Sequence, residues 1–386
     1  MFNVIILGIA SFLTDISTEM VYPLLPLYLT SARIGASPAI VGLIEGLAES
    51  TASLLRVFSG YWSDRLQQRK SLAITGYTFS LIGKYFLYIS TTWPLVLVGR
   101  LADRFGKGIR TAPRDALIAD SSDPEHRGNA FGLHRALDTA GASVGVAVAY
   151  LLFVSQHDSF TSIFLASLFP AALGIAVLFF AREKLKPRAA VIATRSQEPW
   201  WRGVGARWRT FDRRLKLFLV IVFIFALGNS SNEFLLLRAG NLGVDNATVL
   251  LMYLAYNVVY ALVSWPAGRL SDRVGRKSLL VVGYLTYGIV YFGFAIASSL
   301  QLWGLFATYG IYVAMTEGVE KAFVSDIAPT DLRATLIGLH ATFTGVGLLP
   351  ASLLAGFLWD AFGPATTFYF GGAMGALAAI ALWLLI

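Results

Sequence analysis

Apolar residues run through this chain in long blocks, broken at short intervals by small polar clusters. A helix needs about 20 apolar residues to cross a bilayer. Counting blocks of that length predicts twelve spanning helices, over 3–30, 38–62, 71–91, 94–119, 129–153, 160–181, 215–238, 246–268, 278–298, 301–325, 334–358 and 364–386. Most connections are short. The exception, 182–214, is polar and basic and carries Pro187 and Pro199. It predicts a seam: a six-helix bundle over 1–181, a linker over 182–214 and a second six-helix bundle over 215–386. Inside the linker, Trp201, Val204, Trp208, Phe211 and Leu215 fall at helical spacing, with Arg202, Arg207 and Arg209 between them. That pattern predicts a helix lying in the membrane interface.

The fourth span breaks the apolar rule. Between Gly99 and Asp120 it carries Arg100, Asp103, Arg104, Lys107, Arg110, Arg114 and Asp115, most of them on one side of a helix. A charge facing lipid at the bilayer centre costs roughly 2.5 kcal/mol or more. The segment must still cross from Trp93 to Asp120, so its charged stripe is expected to face a polar interior.

Composition agrees with an all-α membrane protein: 56% of the 386 residues are hydrophobic and only 14% charged. A soluble chain averages about 25% charged. The net charge of +8 does not imply nucleic acid, because the basic residues cluster between apolar runs as topology signals do. They mark one set of loops, read as cytoplasmic, and place both termini there. The first twenty residues read as a retained helix, lacking the basic start and cleavage site of a signal peptide. With no cysteine, thiolate nucleophiles and thiolate metal sites are excluded. Phosphate-loop, zincin and nucleophile-elbow motifs are also missing, so neither an enzyme, a metal nor a cofactor is expected.

The halves repeat. Gly60, Ser63, Asp64, Arg65, Arg69 and Lys70 match Gly268, Ser271, Asp272, Arg273, Arg276 and Lys277. Arg127 to His134 matches Arg333 to His340, and Asp120 and Asp326 each precede that arginine by seven residues. Thr14 to Met20 matches Gly228 to Phe234. Repeats in one orientation imply a pseudo-twofold axis along the membrane normal with a cavity between the halves.

GRLSDRVGRK over Gly268–Lys277 resembles the loop 2–3 signature of the major facilitator superfamily, here in its loop 8–9 repeat. The first copy, GYWSDRLQQRK over Gly60–Lys70, has one extra residue and lacks the second glycine, so its turn is expected to differ. RFGKGIRTA from Arg104 resembles the same superfamily's fourth-helix motif. The helix-5 motif of many drug antiporters is not clearly present; DTAGASVG from Asp138 stands there. The resemblance implies twelve helices in two pseudo-symmetric six-helix bundles and a secondary transporter working by alternating access.

Candidate sites follow. Asp64, Arg65, Asp272, Arg273, Arg127 and Arg333 are expected to gate, since carboxylates and arginines at helix ends can cap and pair across a domain. Asp15 and Glu19 lie one turn apart in helix 1, and Glu233 occupies the matching place in helix 7. With Asp138 they are the proton-coupling candidates, as intramembrane carboxylates mark ion or substrate paths. Arg104, Arg110 and Arg114 are candidates for an anionic group on a solute, with Asn229, Asn232, Glu317 and Glu320 as further lining. The competing reading is full internal pairing of the stripe with Asp15, Glu19, Glu45, Glu49, Glu317 and Glu320. Arg100 and Asp103 are expected to pair near the outer end. Arg114–Asp115 aligns with Glu320–Lys321, so these pairs either bridge near the axis or line opposite walls.

The partners expected are a small anionic or amphiphilic solute, protons and membrane lipid, handled by a monomer in the inner membrane. Export is the first reading. Proton-coupled uptake, lipid transport and a non-transporting sensor are the alternatives.

Overall fold

The computed structural model describes residues 2–66, 68–122, 127–156, 159–183, 211–328 and 333–386. Every predicted span is a helix or a broken helix. Span 1 is α1 (Phe2–Val21), a 3-10 turn (Tyr22–Leu24) and α2 (Leu25–Thr30). Next come α3 (Pro38–Leu66), α4 (Arg69–Tyr88), α5 (Trp93–Asp120), α6 (Arg127–Ser155) and α7 (Phe160–Leu178). Span 7 is split into α8 (Arg213–Gly228) and α9 (Glu233–Asn241). The remainder are α10 (Asn246–Val274), α11 (Arg276–Ile296), α12 (Leu302–Ile327), α13 (Arg333–Phe362) and α14 (Pro364–Leu385). Among the described residues nine helical segments are long and apolar enough to cross a membrane. The three spans outside that set are α4, α5 and α12; α5 carries charge along its length, α12 towards its end from Glu317 to Asp326, and α4 holds Lys84.

Each break has a chemical cause. Pro23 and Pro26 lack an N–H for the helix ladder, so α1 gives way to a 3-10 turn. In span 7 the run Asn229-Ser230-Ser231-Asn232 competes for backbone partners. Unwound backbone at membrane depth must be satisfied by protein. The Tyr287 hydroxyl donates to Gly228 O at 2.7 Å, and Ser231 N–H donates to Ser352 Oγ at 3.3 Å. Glu233 N–H donates to Ser231 Oγ at 3.3 Å.

Within the first six spans α1 packs on α6 and α7, and α5 on α3 and α4. Within the last six, α11 packs on α12 and α14, α10 on α12, and α8 on α13 and α14. Contacts between the two sets run along α3–α13 and α6–α10, with a smaller one between α2 and α9. The α3–α13 contact is a glycine seam. A Cβ on Gly42 would sit 2.1 Å from Ser352 O, and one on Gly356 would sit 2.6 Å from Ala39 Cα. Backbones therefore touch with no side chain between them.

The two loop copies do turn differently. Gly275, between α10 and α11, has φ +91°, a left-handed value that favours glycine. In the first copy Gln68 precedes α4 with φ −120°. The interfacial-helix expectation falls on residues outside the described ones, apart from Phe211 and Leu215. Those two are 5% and 0% exposed, in the protein interior.

Candidate functional site

The charged stripe of α5 faces inward. Arg100, Asp103, Arg104 and Arg110 are all buried, on the same face as Gly99, Gly106 and Pro113. A cavity of about 230 Å³ opens against its middle. It is lined by Asp15, Thr18, Glu19 and Tyr22 of span 1, Glu49 of α3, and Arg104, Lys107 and Arg110 of α5. Asn232, at the break in span 7, and Tyr253 of α10 close it from the other half.

Internal pairing accounts for part of this charge. Arg104 Nε lies 2.7 Å from Glu49 Oε1 and its Nη1 3.5 Å from Asp103. Glu19 accepts from the Tyr253 hydroxyl at 3.2 Å. Arg110 donates to Ser80 Oγ, and its guanidinium lies 4.5 Å from the centre of the Tyr77 ring. Among the described residues neither Arg110 nor Lys107 has a carboxylate within ion-pair distance. So the stripe contains both kinds of arginine: locked pairs, and cations held by neutral partners.

Just beyond the cavity, Arg100 grips Glu45 with two bonds of 2.6 Å each, from Nε and Nη2. Asp103 is a weaker second partner at 3.5 Å. Arg100 therefore does pair with Asp103 as expected, but Glu45 is its main partner. Glu233 begins α9, which packs against α3 from the other half. It is wholly buried, and among the described residues neither carboxylate oxygen has a hydrogen-bond partner. The Arg100–Glu45 pair thus joins α3 to α5, and α3 also touches α9 of the other half.

Apart from Asn232 in the cavity wall, the other expected site residues lie elsewhere. Arg114 donates to Ser11 Oγ at 2.9 Å and to its own neighbour Asp115 at 3.0 Å. Asn229 donates to the Tyr312 hydroxyl at 3.4 Å, while Asn232 accepts from Tyr309 at 2.7 Å. Glu317 accepts from Tyr260 at 2.6 Å, with Arg135 at 3.6 Å and Lys321 at 3.9 Å. Glu320 accepts from Tyr284 at 2.9 Å and lies 3.1 Å from His340 Nε2. Hence Arg114–Asp115 and Glu320–Lys321 do not bridge; each acidic or basic member finds partners in its own half. Asp138 lies 3.7 Å from His134 Nδ1.

At the loop signatures, Asp272 and Arg273 are exposed, and Asp272 lies 3.8 Å from Arg276. The side chains of Asp64, Arg65, Arg127 and Arg333 lie outside the described residues. The repeat instead shows a pair of latches. Arg69 bridges Asp120 and donates to Ala116 O, and Arg276 bridges Asp326 and donates to Ala322 O. Lys70 and Lys277 each donate to a carbonyl at the end of the sixth or twelfth span, Phe179 O and Trp383 O. The six charged positions were visible in the sequence, but their pairing depends on how α4 meets α5 and α7, and how α11 meets α12 and α14.

Sequence reasoning gave Lys107 no separate role and overlooked Lys84. Lys84 is 2% exposed in α4 and donates to Thr18 Oγ1 at 3.1 Å. A lone lysine in an otherwise apolar span was the available signal.

Comparison with known proteins agrees with this architecture. The family model of the Major Facilitator Superfamily matches residues 7–238 and 217–386. An MFS-type transporter of Methanocaldococcus jannaschii, MJ1317, is 40% identical over 387 residues, covering 98% of this chain and 94% of that one. The nucleoside transporter NupG superimposes with TM-score 0.80 at 13% identity, over 99% of this chain and 98% of its own. A D-xylose–proton symporter does so with TM-score 0.76 at 18% identity, over 100% and 98%. These two likenesses concern the fold. Twelve spans in a repeated arrangement, an inward-facing charged fourth span and a family match over nearly the whole sequence make this chain a multi-pass transporter of the major facilitator superfamily.

Proposed function

We propose that this transporter moves a small charged organic solute by alternating access, binding its anionic group through Lys107 and Arg110 and coupling movement to protons through Glu233. The observation that carries the substrate reading is the buried Arg110 guanidinium, which lines a central cavity with a serine hydroxyl and a tyrosine face as its partners rather than a carboxylate. A buried cation held this way retains capacity for a carboxylate or phosphate. Glu233 supports the coupling reading. A buried carboxylate without donors is costly, and a bound proton would relieve that cost in the state described here. Asp15 and Glu19 stand in the cavity wall and sense whatever occupies it.

The two six-helix sets are the moving bodies in this reading. On the face away from the latches α2 packs against α9, where a Cβ on Gly240 would lie 3.6 Å from Leu27. On the latch face the polar link across the halves is Arg135 to the Tyr260 hydroxyl at 3.1 Å and to Glu317. The side chains of Arg135 and Glu317 are 60% and 43% exposed. Access from the latch face, which we take as cytoplasmic from its lysines and arginines, fits that difference.

The test is transport in proteoliposomes under pH gradients of both signs, with a panel of small carboxylates, phosphates, zwitterions and cations. A solute should move with the gradient, and the productive sign gives the direction. Arg110→Gln should lower kcat/KM at least about tenfold, as loss of a charge-assisted contact implies. Glu233→Gln should keep solute exchange at zero gradient but lose gradient-driven accumulation. Full accumulation by Glu233→Gln would refute the coupling role, and movement of cations alone would refute the anion site.

A further inference from the structure

We propose that the central cavity is a two-ended slot for a small zwitterion, with its ammonium end at Asp15 and Glu19 and its carboxylate end at Lys107 and Arg110. This rests on the transport reading above and names its substrate class. Six charged side chains line the cavity, and Arg104 and Glu49 use each other up at 2.7 Å. Two carboxylates on α1 and two cations on α5 are left. Among the described residues these four form no ion pair within 4 Å.

Opposite charges in a poorly polarisable interior attract strongly and close together unless something holds them apart. For Glu19 and Arg110 neutral groups do. The Tyr253 hydroxyl donates to Glu19, and Ser80 Oγ with the Tyr77 ring holds Arg110. The slot is thus set in advance for charges that a ligand brings. An anion alone would satisfy α5 and be repelled by α1. A cation alone would do the reverse. A molecule carrying both charges compensates both walls and leaves no ligand charge unpaired, so the selection includes repulsion of single-charge competitors.

Size and aromaticity narrow the class. The cavity, at about 230 Å³, falls below the roughly 300–1,000 Å³ of sites for drug-sized ligands, so the solute has few carbons. Tyr253, whose hydroxyl donates to Glu19, flanks the ammonium end, with the Tyr22 ring centre 6.1 Å from its own. The Tyr22 ring already faces the Arg100 and Arg104 guanidiniums, at 5.5 and 5.9 Å, so it is the Tyr253 ring that suits an ammonium or methylated ammonium group.

The experiment is binding to the purified protein in nanodiscs, followed by calorimetry. The probes are the ω-amino carboxylates from glycine to 6-aminohexanoate and glycine betaine, each with an isostere lacking the amine and one lacking the carboxylate. At least one zwitterion should bind about tenfold or more tighter than both of its isosteres. Glu19→Gln should erase the advantage over the amine-less isostere, and Lys107→Gln the advantage over the carboxylate-less one. Asp15→Asn and Arg110→Gln provide second variants should either of those fail to fold. Equal binding of the zwitterion and its amine-less isostere would overturn the proposal. So would the absence of any zwitterion binding. Either result leaves proton-coupled transport of another solute in proteoliposomes standing, so the two readings fail separately.

Discussion

Replacing Arg100 by methionine should cost more stability than any other single neutralisation in the charged interior. Arg100 is 2% exposed and Glu45 0%. Two charge-assisted bonds of 2.6 Å join them, and such bonds contribute about 1.5–3 kcal/mol each. Removing one member of a buried pair leaves the other charged and unsatisfied, a loss of about 3–5 kcal/mol. Arg100→Met should therefore cost about 4 kcal/mol. Glu45→Gln should cost less, about 1–2 kcal/mol, since an amide oxygen keeps one bond and Asp103 remains 3.5 Å from the guanidinium. The double change Arg100→Met with Glu45→Met should recover most of the loss, because a well-packed apolar replacement of a buried pair is often neutral. Denaturant unfolding in mixed micelles, followed through the nine tryptophans, would complete the double-mutant cycle. A double variant no more stable than Arg100→Met alone would refute the reasoning, since the loss would then not come from a stranded Glu45 charge.

Three further outcomes are expected. Asp120→Asn and Asp326→Asn open the two latches, whose aspartates are 37% and 55% exposed. Stability should shift by less than about 1 kcal/mol, while turnover in proteoliposomes falls; unchanged turnover in the double variant would remove the latches from the transport cycle. Gly42→Ala should force α3 from α13, costing about 1–3 kcal/mol by overpacking. Gly304→Ala, where a Cβ meets nothing within 4 Å, should leave the melting temperature intact. Asp245 caps α10 by accepting from Thr248 N–H at 2.9 Å, and Thr248 holds its carboxyl below the usual carboxylate range. Its contribution, about 1 kcal/mol, is present above the unfolded value of about 3.9 and is lost as pH falls through the lower folded value. Asp245→Ala should thus lower the melting temperature at pH 7 but make little difference at pH 2.

Much of the architecture was legible because lipid imposes a length rule that residues obey one by one. The predicted 94–119 became Trp93–Asp120, and 3–30 became Phe2–Thr30. The inward turn of the α5 stripe was also forced, since no other orientation hides four arginines. Pairing was harder to read. Glu45 and Arg100 are fifty-five positions apart, and only the packing of α3 on α5 brings them together. The break in span 7 was not predicted, although the polar run Asn229 to Asn232 was its signal; the matching run Thr14 to Met20 stays helical. The difference lies in where each half places its helix breakers: prolines after Tyr22, polar amides before Glu233. From sequence alone the tyrosines of α10 read first as packing residues and second as pocket lining. They do pack, but Tyr253 and Tyr260 also end on Glu19 and Glu317. A phenol's partner is set by what lies across the interface, which no periodicity on its own helix reveals.

The backbone contact along α3 and α13 has a mechanical consequence. An interface built from side chains must re-select rotamers whenever its faces shift, at a cost in conformational entropy for each one fixed. Here peptide surface rests on peptide surface, at Gly42 against Ser352 and Gly356 against Ala39. Displacement along this line needs few rotamers to be reset, so it acts as a dry bearing whose resistance comes from the shape of the main chain. The charged residues on α1 and α5 can then be exchanged for others over evolution while the bearing keeps its dimensions.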